Sequence, residues 1–314
     1  MTGVLRNHPE YLAPTALEHA WKEVAASAGT KLVEIGRSVE GRPLWRLDAG
    51  PSDAPSVFLT GLIHGVEMIG GLALLETARR LQGAGTRLVV LPICNPDALF
   101  ANAARLARGR IAFQRCNAHR VDLNRNFPRV SAHRSWHPMS GSRFRLSPHY
   151  VGPHALSEPE SEAIAQVASE VQPGLALGFH SFGNLLLHPR GFTREPHPDT
   201  ARFRALGGAF TGAQERPYKV MSSARLYPVL GDLDDWLDAR FGTRAFTVEV
   251  GQLDRRLLDP RRLVNPFWWM NPTAVTATVG NAAAGAVALV QAWRAELAWS
   301  PRRSYASAGA SAIR

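Results

Sequence analysis

The stretch Val57-Phe-Leu-Thr-Gly-Leu-Ile-His64-Gly-Val-Glu67 joins an almost wholly apolar run to two residues that can bind a metal ion. The run Val57–Ile63 predicts a buried strand. The residues that follow, Met68–Leu81, carry apolar side chains at helical spacing and predict a helix. His64 and Glu67 fall between the two, and a separation of three at a helix start places both side chains on one side. We therefore expect a strand–turn–helix unit that supplies two ligands of one metal site.

The same alternation of apolar strands and helices continues on both sides of this unit. Three more apolar runs predict buried strands: Leu88–Ile93, Leu175–Phe179 and Ala245–Val250. A hairpin is predicted upstream, over Leu32–Ile35 and Leu44–Ala49. Three further helices are expected over residues 15–28, Glu158–Val171 with Ser157 as N-cap, and Ala274–Leu297, which Gly280 or Gly285 could interrupt. This order predicts an α/β fold in a single domain, with a mixed, mostly parallel twisted sheet and helices on both faces.

The domain boundaries follow from composition. A chain of 314 residues is long enough to bury one large core. No linker-like stretch interrupts residues 31–298, so we expect one main domain there, preceded by an N-terminal helical segment over residues 1–30. Residues 299–314 end in a run rich in Ser and Ala, which predicts a flexible tail.

Composition also excludes several classes of protein. With 45% hydrophobic and 20% charged residues, the chain is neither disordered nor fibrous. No uninterrupted apolar run approaches the roughly 18 residues of a membrane helix, so no membrane partner is expected. The N-terminal residues lack the apolar core of a secretory signal, and Cys94 and Cys116 are the only cysteines. Both observations favour the cytoplasm, a reducing compartment.

The chain is basic, with 36 basic and 26 acidic residues and a net charge of +10. Arginine accounts for 33 of the basic residues. A basic surface can hold nucleic acid. Here, however, the basic runs are only pairs, with no basic helix and no interleaved aromatic platform. We therefore expect no nucleic-acid partner, and the pattern indicates no oligomeric state.

A third ligand is needed, because a catalytic zinc site takes three protein ligands and keeps one position for water. His180 is the candidate, since it ends the apolar run Leu175–Phe179 and open α/β sheets bind ligands at the carboxyl ends of their strands. A purely structural, hydrogen-bonded histidine is the alternative. On composition alone, six other histidines compete with it: His119, His133, His137, His149, His154 and His188.

Two more groups of polar residues carry chemistry. In Asp122-Leu-Asn-Arg-Asn126, the Asn–Arg pair has the donor geometry to bind a carboxylate. Asp122 could orient a zinc-binding histidine. An Asx turn would explain the Asn and Asp residues but not this arginine together with Arg115 upstream. Glu249 is costly to bury in an apolar strand unless it is paired or functional. It could act as a general base beside a metal, or pair with Arg244.

These residues together resemble the zinc metallocarboxypeptidases, the family of the pancreatic carboxypeptidases and their bacterial relatives. The resemblance covers roughly residues 30–298 and keeps the family's order of motifs. Those motifs are Ile35–Pro43, His64-x-x-Glu67, Asn95-Pro-Asp97, Asp122-Leu-Asn-Arg-Asn126, Ser157-Glu-Pro-Glu160, His180-Ser-Phe-Gly183, Tyr227-Pro-x-x-Gly231-x-x-Asp234-Asp-Trp236 and Phe246-Thr-x-Glu249. The stretch Arg115–Pro128 looks particularly like the bacterial cytoplasmic murein-peptide amidases of this family. The resemblance implies a catalytic domain over residues 31–298 with zinc at the carboxyl ends of the strands.

The resemblance also implies a ligand set and the chemistry beside it. One zinc ion per chain would be held by His64, Glu67 and His180, the His₂Glu type of site known from carboxypeptidase A. Glu249 matches the general acid and base of the family. Arg115 matches the arginine that polarises the scissile carbonyl.

Other positions match substrate-binding groups. Asn124 and Arg125 match the residues that bind the terminal α-carboxylate, and Tyr227 matches a mobile tyrosine that closes over the substrate. Asp122 matches the partner of the first histidine ligand. Asp234 falls at the floor of the specificity pocket, where a carboxylate favours Lys, Arg or diaminopimelate at the end of the substrate. Alternatively, Asp234 caps the helix that follows it.

The implied enzyme is a hydrolase that removes the C-terminal residue of a peptide with a free carboxylate, or cleaves a γ-D-Glu-diaminopimelate amide. The alternative is an N-acyl-amino-acid deacylase of the aspartoacylase and succinylglutamate-desuccinylase type. Those relatives share the His-Gly-x-Glu and Asp-Leu-Asn-Arg signatures but lack the Tyr227-to-Trp236 motif, which favours the peptidase. A non-catalytic scaffold would be expected to lose a ligand or the base, and all four are present here.

Overall fold

A mixed sheet of eight strands forms the centre of the computed structural model, which describes residues 3–5, 8–253 and 263–299. Its strands are β3 (Val33–Arg37), β4 (Pro43–Ala49), β5 (Ser56–Gly61), β6 (Arg87–Leu91), β7 (Leu175–His180), β8 (Leu185–His188), β9 (Lys219–Ser222) and β10 (Arg244–Glu249). A separate antiparallel pair, β1 (Gly3–Leu5) and β2 (His8–Leu12), precedes them.

The helices lie mostly between the strands in sequence. They are α1 (Pro14–Ser27), α2 (Met68–Leu81), α3 (Pro96–Ala107), α4 (Pro159–Val171), α5 (Thr200–Gly212), α6 (Ser223–Leu226), α7 (Leu233–Phe241), α8 (Phe267–Met270) and α9 (Val275–Trp299). A 3-10 turn spans Leu123–Arg125. Residues 129–155 form an irregular loop, as their polar composition predicts.

The sheet order is β3-β4-β6-β5-β7-β10-β8-β9. The four central strands β6, β5, β7 and β10 run parallel, so their carboxyl ends meet at one edge. The pairs β3–β4, β4–β6 and β10–β8 are antiparallel. The predicted mixed, mostly parallel sheet is therefore confirmed.

Apolar side chains cover both faces of the sheet. One core cluster joins α1, α2, α5 and α9 to the sheet and includes Trp21, Ile69 and Phe246. The other lies under α4 and α7 and includes Phe58, Ile164 and Trp236. Because Trp21 of α1 belongs to the first cluster, the N-terminal segment packs in the same core as the rest of the chain. The boundaries predicted at residues 30 and 298 remain predictions, and all but Trp299 of the 299–314 tail lies outside the described residues.

Three local predictions need correction. The N-terminal segment contains the β1–β2 pair as well as its helix. The sequence does not predict this pair, because both strands are too short to show a period. Helix α4 begins at Pro159 with Glu158 at the N-cap, whereas the Ser157 hydroxyl hydrogen-bonds to Glu158 Oε1 at 2.8 Å. Proline suits the first helical position since it has no N–H to leave unpaired.

The last helix also differs from expectation. α9 runs unbroken past both glycines, and a Cβ on Gly285 would meet the Phe210 ring at 2.8 Å, so this glycine serves close packing. By length and composition, Val275–Ala298 could cross a membrane, which corrects the expectation that no segment is long enough. Core helices pass the same test, and α9 buries Ala286, Leu289 and Trp293 in the core.

Candidate active site

The candidate site lies where three parallel strands end. β5 ends at Gly61, three residues before His64, while β7 ends at His180 and β10 at Glu249. His180 and Glu249 are paired in register, so they lie side by side at this edge. The carboxyl ends of parallel strands are where open α/β sheets bind ligands.

A glycine allows α2 to bring Glu67 close to β7. A Cβ built on Gly70, in the first turn of α2, would lie 2.9 Å from the backbone oxygen of His180. Real side chains do not approach a backbone oxygen so closely, so α2 can pack here only with glycine. The backbone N–H of Ser181 points at Glu67 Oε2, 3.3 Å away. The approach of helix and strand thus sets the spacing of the candidate ligands.

His64, Glu67 and His180 form a tight, buried cluster of metal-ligand type. Their candidate ligand atoms all lie within 4.8 Å of one another. His64 Nδ1 lies 2.9 Å from Glu67 Oε1, and His180 Nδ1 lies 3.0 Å from Glu67 Oε2. The two imidazole Nδ1 atoms are 3.2 Å apart. Two imidazoles and a carboxylate facing one point fit a catalytic zinc ion and leave a position for water.

Asp122 lies beside this cluster and contacts three side chains. Its Oδ1 lies 3.1 Å from His64 Nε2, the ring nitrogen that faces away from Glu67. Its Oδ2 accepts from Arg115 Nε at 3.1 Å and lies 3.2 Å from His149 Nδ1. A histidine that donates its far N–H to a carboxylate is fixed in orientation and binds metal more strongly.

Two carboxylates in this region stay charged despite burial. Burial alone would raise the pKa of Asp122, but the charges of Arg115 and Arg125 hold that pKa well below its usual value. Burial would likewise raise the pKa of Glu67, and the facing imidazoles of His64 and His180 lower it instead. Both residues are therefore ready to act as acceptors at neutral pH.

The pKa of Glu249 is shifted in the opposite direction. Burial raises its pKa to about 7, and the nearby Glu67 carboxylate adds to this effect, against the opposing influence of His180. A carboxylate with a pKa near the working pH can both take and return a proton. In the described structure, the Arg244 guanidinium pairs with Asp199 at 2.6 Å, so the alternative of a Glu249–Arg244 pair is not observed.

Asn124 and Arg125 present hydrogen-bond donors next to the cluster. The Asn124 side-chain oxygen accepts from the Leu233 N–H at 3.0 Å, which leaves its amide group with donors to offer. Arg125 Nε donates to the Met139 carbonyl at 3.0 Å, and Nη1 donates to the Asn124 carbonyl at 2.7 Å. Among the described residues, Arg125 Nη2 has no hydrogen-bond partner. The pair is held by its surroundings and still has donors left for an anion.

Arg115 and Tyr227 interact electrostatically, so the two side chains lie near each other. Arg115 Nη1 is 3.3 Å from Glu67 Oε1, so the guanidinium borders the candidate metal position. Tyr227 follows the short helix α6, is half-buried, and stacks on His137 with the ring centroids 5.4 Å apart. Its backbone N–H also donates to the Ser223 carbonyl at 3.3 Å, and the mobility that the resemblance implies for Tyr227 stays a prediction.

Asp234 is buried in the first turn of α7. Its Oδ2 accepts from Thr247 Oγ1 at 2.5 Å. Thr247 precedes Glu249 by two residues on β10, and alternate residues of a strand share a face, so Asp234 lies on the same side of the sheet as Glu249. Burial raises the pKa of Asp234 to about 7, with further repulsion from Asp232. The helix N-cap is Asp232, whose side chain accepts from the Asp235 N–H, so Asp234 does not cap the helix.

Some contacts at the site are not predicted by the sequence. His149 contacts Asp122, although sequence alone offered it only as one of six competing ligands. Asp235 holds the loop opposite α7, since both its oxygens accept from the Gly191 N–H at 2.9 Å. Of the competing histidines, His119 contacts Glu158 and His188 stacks on Phe203. Loops bring these groups together, and no sequence spacing signals such contacts.

Comparison with known proteins decides the family. Residues 17–271 match the family model described as zinc carboxypeptidase. The chain belongs to the zinc carboxypeptidase family. It is therefore a zinc-dependent metallopeptidase, a hydrolase, and the His64–Glu67–His180 cluster is the group in the described structure that could bind the metal.

Individual proteins also resemble this chain in sequence or in structure. Carboxypeptidase D of Drosophila melanogaster is 26% identical over 292 residues, which cover 76% of this chain but 19% of that protein. Other curated carboxypeptidases are matched over 47% to 84% of their length. Thrombin-activatable fibrinolysis inhibitor superposes with a TM-score of 0.72 at 19% identity, covering 89% of this chain and 73% of that one. The murein-tripeptide amidase MpaA of Escherichia coli O157 superposes with a TM-score of 0.52 at 22% identity, covering 86% of this chain and 93% of that one. At these identities, the structural likeness shows the fold.

Proposed function

We propose that this zinc carboxypeptidase removes the C-terminal residue of peptides and prefers a basic side chain, such as that of Lys, Arg or diaminopimelate. One observation carries the proposal. Asn124 and Arg125 retain unused donors and follow Asp122, which contacts His64, so a terminal carboxylate could be bound while the preceding amide bond reaches the metal position.

The terminal carboxylate would be bound by the guanidinium of Arg125 and the amide of Asn124. A planar guanidinium matches a carboxylate in two parallel hydrogen bonds, which a lysine cannot form. Because both residues are held by Met139 and Leu233, their donors are oriented before the substrate arrives. Such preorganisation lowers the cost of positioning the scissile bond.

Hydrolysis would then be carried out at the end of β10. Zinc bound by His64, Glu67 and His180 would supply a Lewis acid that polarises the carbonyl and makes water acidic enough to lose a proton near neutral pH. Glu249 would take that proton and deliver it to the leaving amine. Arg115, fixed by Asp122, would donate hydrogen bonds to the carbonyl oxygen as negative charge develops on it.

Asp234 supports the proposed preference for basic residues. A buried carboxylate at the end of a pocket stabilises an ammonium or guanidinium and repels an acidic side chain. The fold shared with the MpaA amidase supports a murein-type peptide ending in diaminopimelate as one such substrate. The free cysteines Cys94 and Cys116 support the proposal of a reducing compartment, the cytoplasm.

The proposal is tested by a mass-spectrometric screen of the zinc-loaded protein. Peptides that differ only in the last residue (Arg, Lys, diaminopimelate, Phe or Glu) are incubated with wild type and with His180→Ala. We expect release of the last residue, faster for the basic peptides, and loss of both zinc and activity in the variant. Cleavage of N-acyl amino acids without any cleavage of peptides would indicate the deacylase instead.

A further inference from the structure

The charge around the candidate active site is strongly one-sided. Between Asp97 and Glu158 the chain has ten arginines and a single acidic residue, Asp122. That one carboxylate is buried and already contacts Arg115 and His64. Eight of these arginines are exposed, and we call six of them the arginine face: Arg110, Arg120, Arg129, Arg134, Arg143 and Arg145.

The arginine face has no internal neutralisation. Some exposed arginines elsewhere pair with carboxylates, as Arg80 does with Glu76 at 2.8 Å and Arg202 with Glu296 at 2.7 Å. Within the described parts of the chain, none of the six forms an ion pair. Like charges without partners repel one another and produce a positive potential over the surface, which attracts anions from solution.

The segments that carry the arginine face are tied together beside the site. Cys116 Sγ donates to the Pro148 carbonyl at 3.2 Å, and the Asp122 N–H donates to the Tyr150 carbonyl at 2.8 Å. The segment before Asp122 and the end of the 129–155 loop are therefore neighbours. The positive residues on the two segments act on the same region of solvent.

The 129–155 loop also borders the substrate space directly. Its Met139 carbonyl accepts the Arg125 Nε–H, and its His137 stacks on Tyr227. Apolar side chains stand among the arginines, with Trp136 98% exposed and Phe144 65% exposed. A peptide whose last residue enters the site must leave its preceding residues at this rim, where it would meet both guanidinium groups and apolar surface.

We infer that the arginine face selects peptides that carry carboxylate side chains ahead of the residue to be removed. This inference rests on the proposed function and extends it from the terminal residue to the rest of the substrate. The arginine face borders the substrate space through Met139 and His137, and this position favours a peptide over a nucleic acid as its partner.

The test compares two peptides that share the sequence Ala-Arg at the C-terminus and have either two Glu or two Gln residues before it. We expect kcat/KM at low salt to be at least ~5-fold higher for the Glu peptide, and the ratio to approach one as salt screens the charges. The preference should disappear in a variant with four substitutions: Arg110→Gln, Arg134→Gln, Arg143→Gln and Arg145→Gln.

A matched variant controls for net charge. It carries four substitutions at exposed arginines away from the arginine face and should keep the preference: Arg79→Gln, Arg204→Gln, Arg216→Gln and Arg240→Gln. Equal kcat/KM for the two peptides in wild type, or equal losses in the two variants, would overturn the inference. Binding of phosphatidylglycerol vesicles or single-stranded DNA with no preference between the peptides would overturn it as well.

A binding measurement separates this inference from the proposed function. A fluorescein-labelled Glu peptide with an amidated C-terminus cannot offer a terminal carboxylate to Arg125, so its anisotropy reports the arginine face. We expect wild type to bind it and the arginine-face variant to lose binding by at least ~5-fold. If this holds while no peptide is cleaved, the proposed function fails, and only the binding of acidic peptides by the arginine face stands. If peptides are cleaved but this binding is absent, the inference fails and the proposed function stands.

Discussion

Asp122 Oδ1 lies 3.1 Å from His64 Nε2, while His64 Nδ1 lies 2.9 Å from Glu67 Oε1. The two nitrogens of the His64 ring therefore connect the Asp122 carboxylate to the candidate metal position. The same carboxylate accepts from Arg115, whose Nη1 reaches back to Glu67. The orientation of a metal ligand and that of a catalytic donor therefore depend on one buried side chain.

The first prediction follows from this arrangement. Asp122→Asn keeps the size of the side chain but removes the charge that orients His64 and Arg115. We expect zinc affinity to fall by roughly 10- to 100-fold, the usual effect of losing such a partner. Chelator competition measures the affinity, and circular dichroism checks that the variant folds. Unchanged affinity in a folded variant would show that the contact does not orient the ligand.

The second prediction concerns Glu249. Glu249→Gln preserves shape but cannot accept a proton, so zinc content should remain while kcat falls by at least ~10²-fold. For wild type, kcat/KM should rise with pH as Glu249 loses its proton. Its pKa is about 7 without metal, and the charge of bound zinc lowers it, so we expect the acidic limb at or below pH 7. A Gln variant with near-normal kcat would exclude Glu249 as the base.

The sequence already predicted much of this site, and the reason is local. Val57–Ile63 is apolar enough to show a buried strand, and the period of Met68–Leu81 matches α2 as observed. Once these two elements are placed, the positions of His64 and Glu67 follow. His180 was predicted similarly, as the residue that ends an apolar run.

What the sequence could not show depends on contacts between distant segments. Ser157 has the chemistry of an N-cap, but Asn126 donates to its hydroxyl at 3.0 Å, and the helix begins at Pro159 with Glu158 at the N-cap instead. His149 reaches Asp122 through an irregular loop with no period to read. Gly285 resembles a helix breaker until the Phe210 ring packed against it is seen.

The third prediction concerns terminal-residue preference. If Asp234 lies at the floor of the pocket, Asp234→Asn should reduce kcat/KM for peptides ending in Arg or Lys by at least ~10-fold and leave peptides ending in Phe little changed, because only the former lose a charge partner. Steady-state kinetics on matched peptides measure this. An unchanged ranking of Arg over Phe in the variant would remove Asp234 from the pocket.

The fourth prediction concerns stability. Asp234 has a pKa of about 7 when folded and an ordinary value near 3.8 when unfolded. Between these values the unfolded chain binds fewer protons, so the residue lowers the free energy of unfolding as pH rises from about 4 to 7. Asp234→Asn removes this penalty. In urea unfolding, the free energy of unfolding of the variant minus that of wild type should therefore be larger at pH 8 than at pH 5. An equal difference at both pH values would contradict the assignment.

The central claim is that a terminal carboxylate is bound beside the zinc ligands. The most direct measurement incubates the zinc-loaded protein with one peptide ending in Arg, once as the free acid and once as the C-terminal amide, and follows both by mass spectrometry. Arg125→Lys serves as the matched variant, since it keeps the charge but loses the paired hydrogen bonds. We predict release of the last residue from the free acid alone, and a strong loss of that release in Arg125→Lys. Equal cleavage of the acid and the amide, or cleavage at internal bonds, would contradict the account.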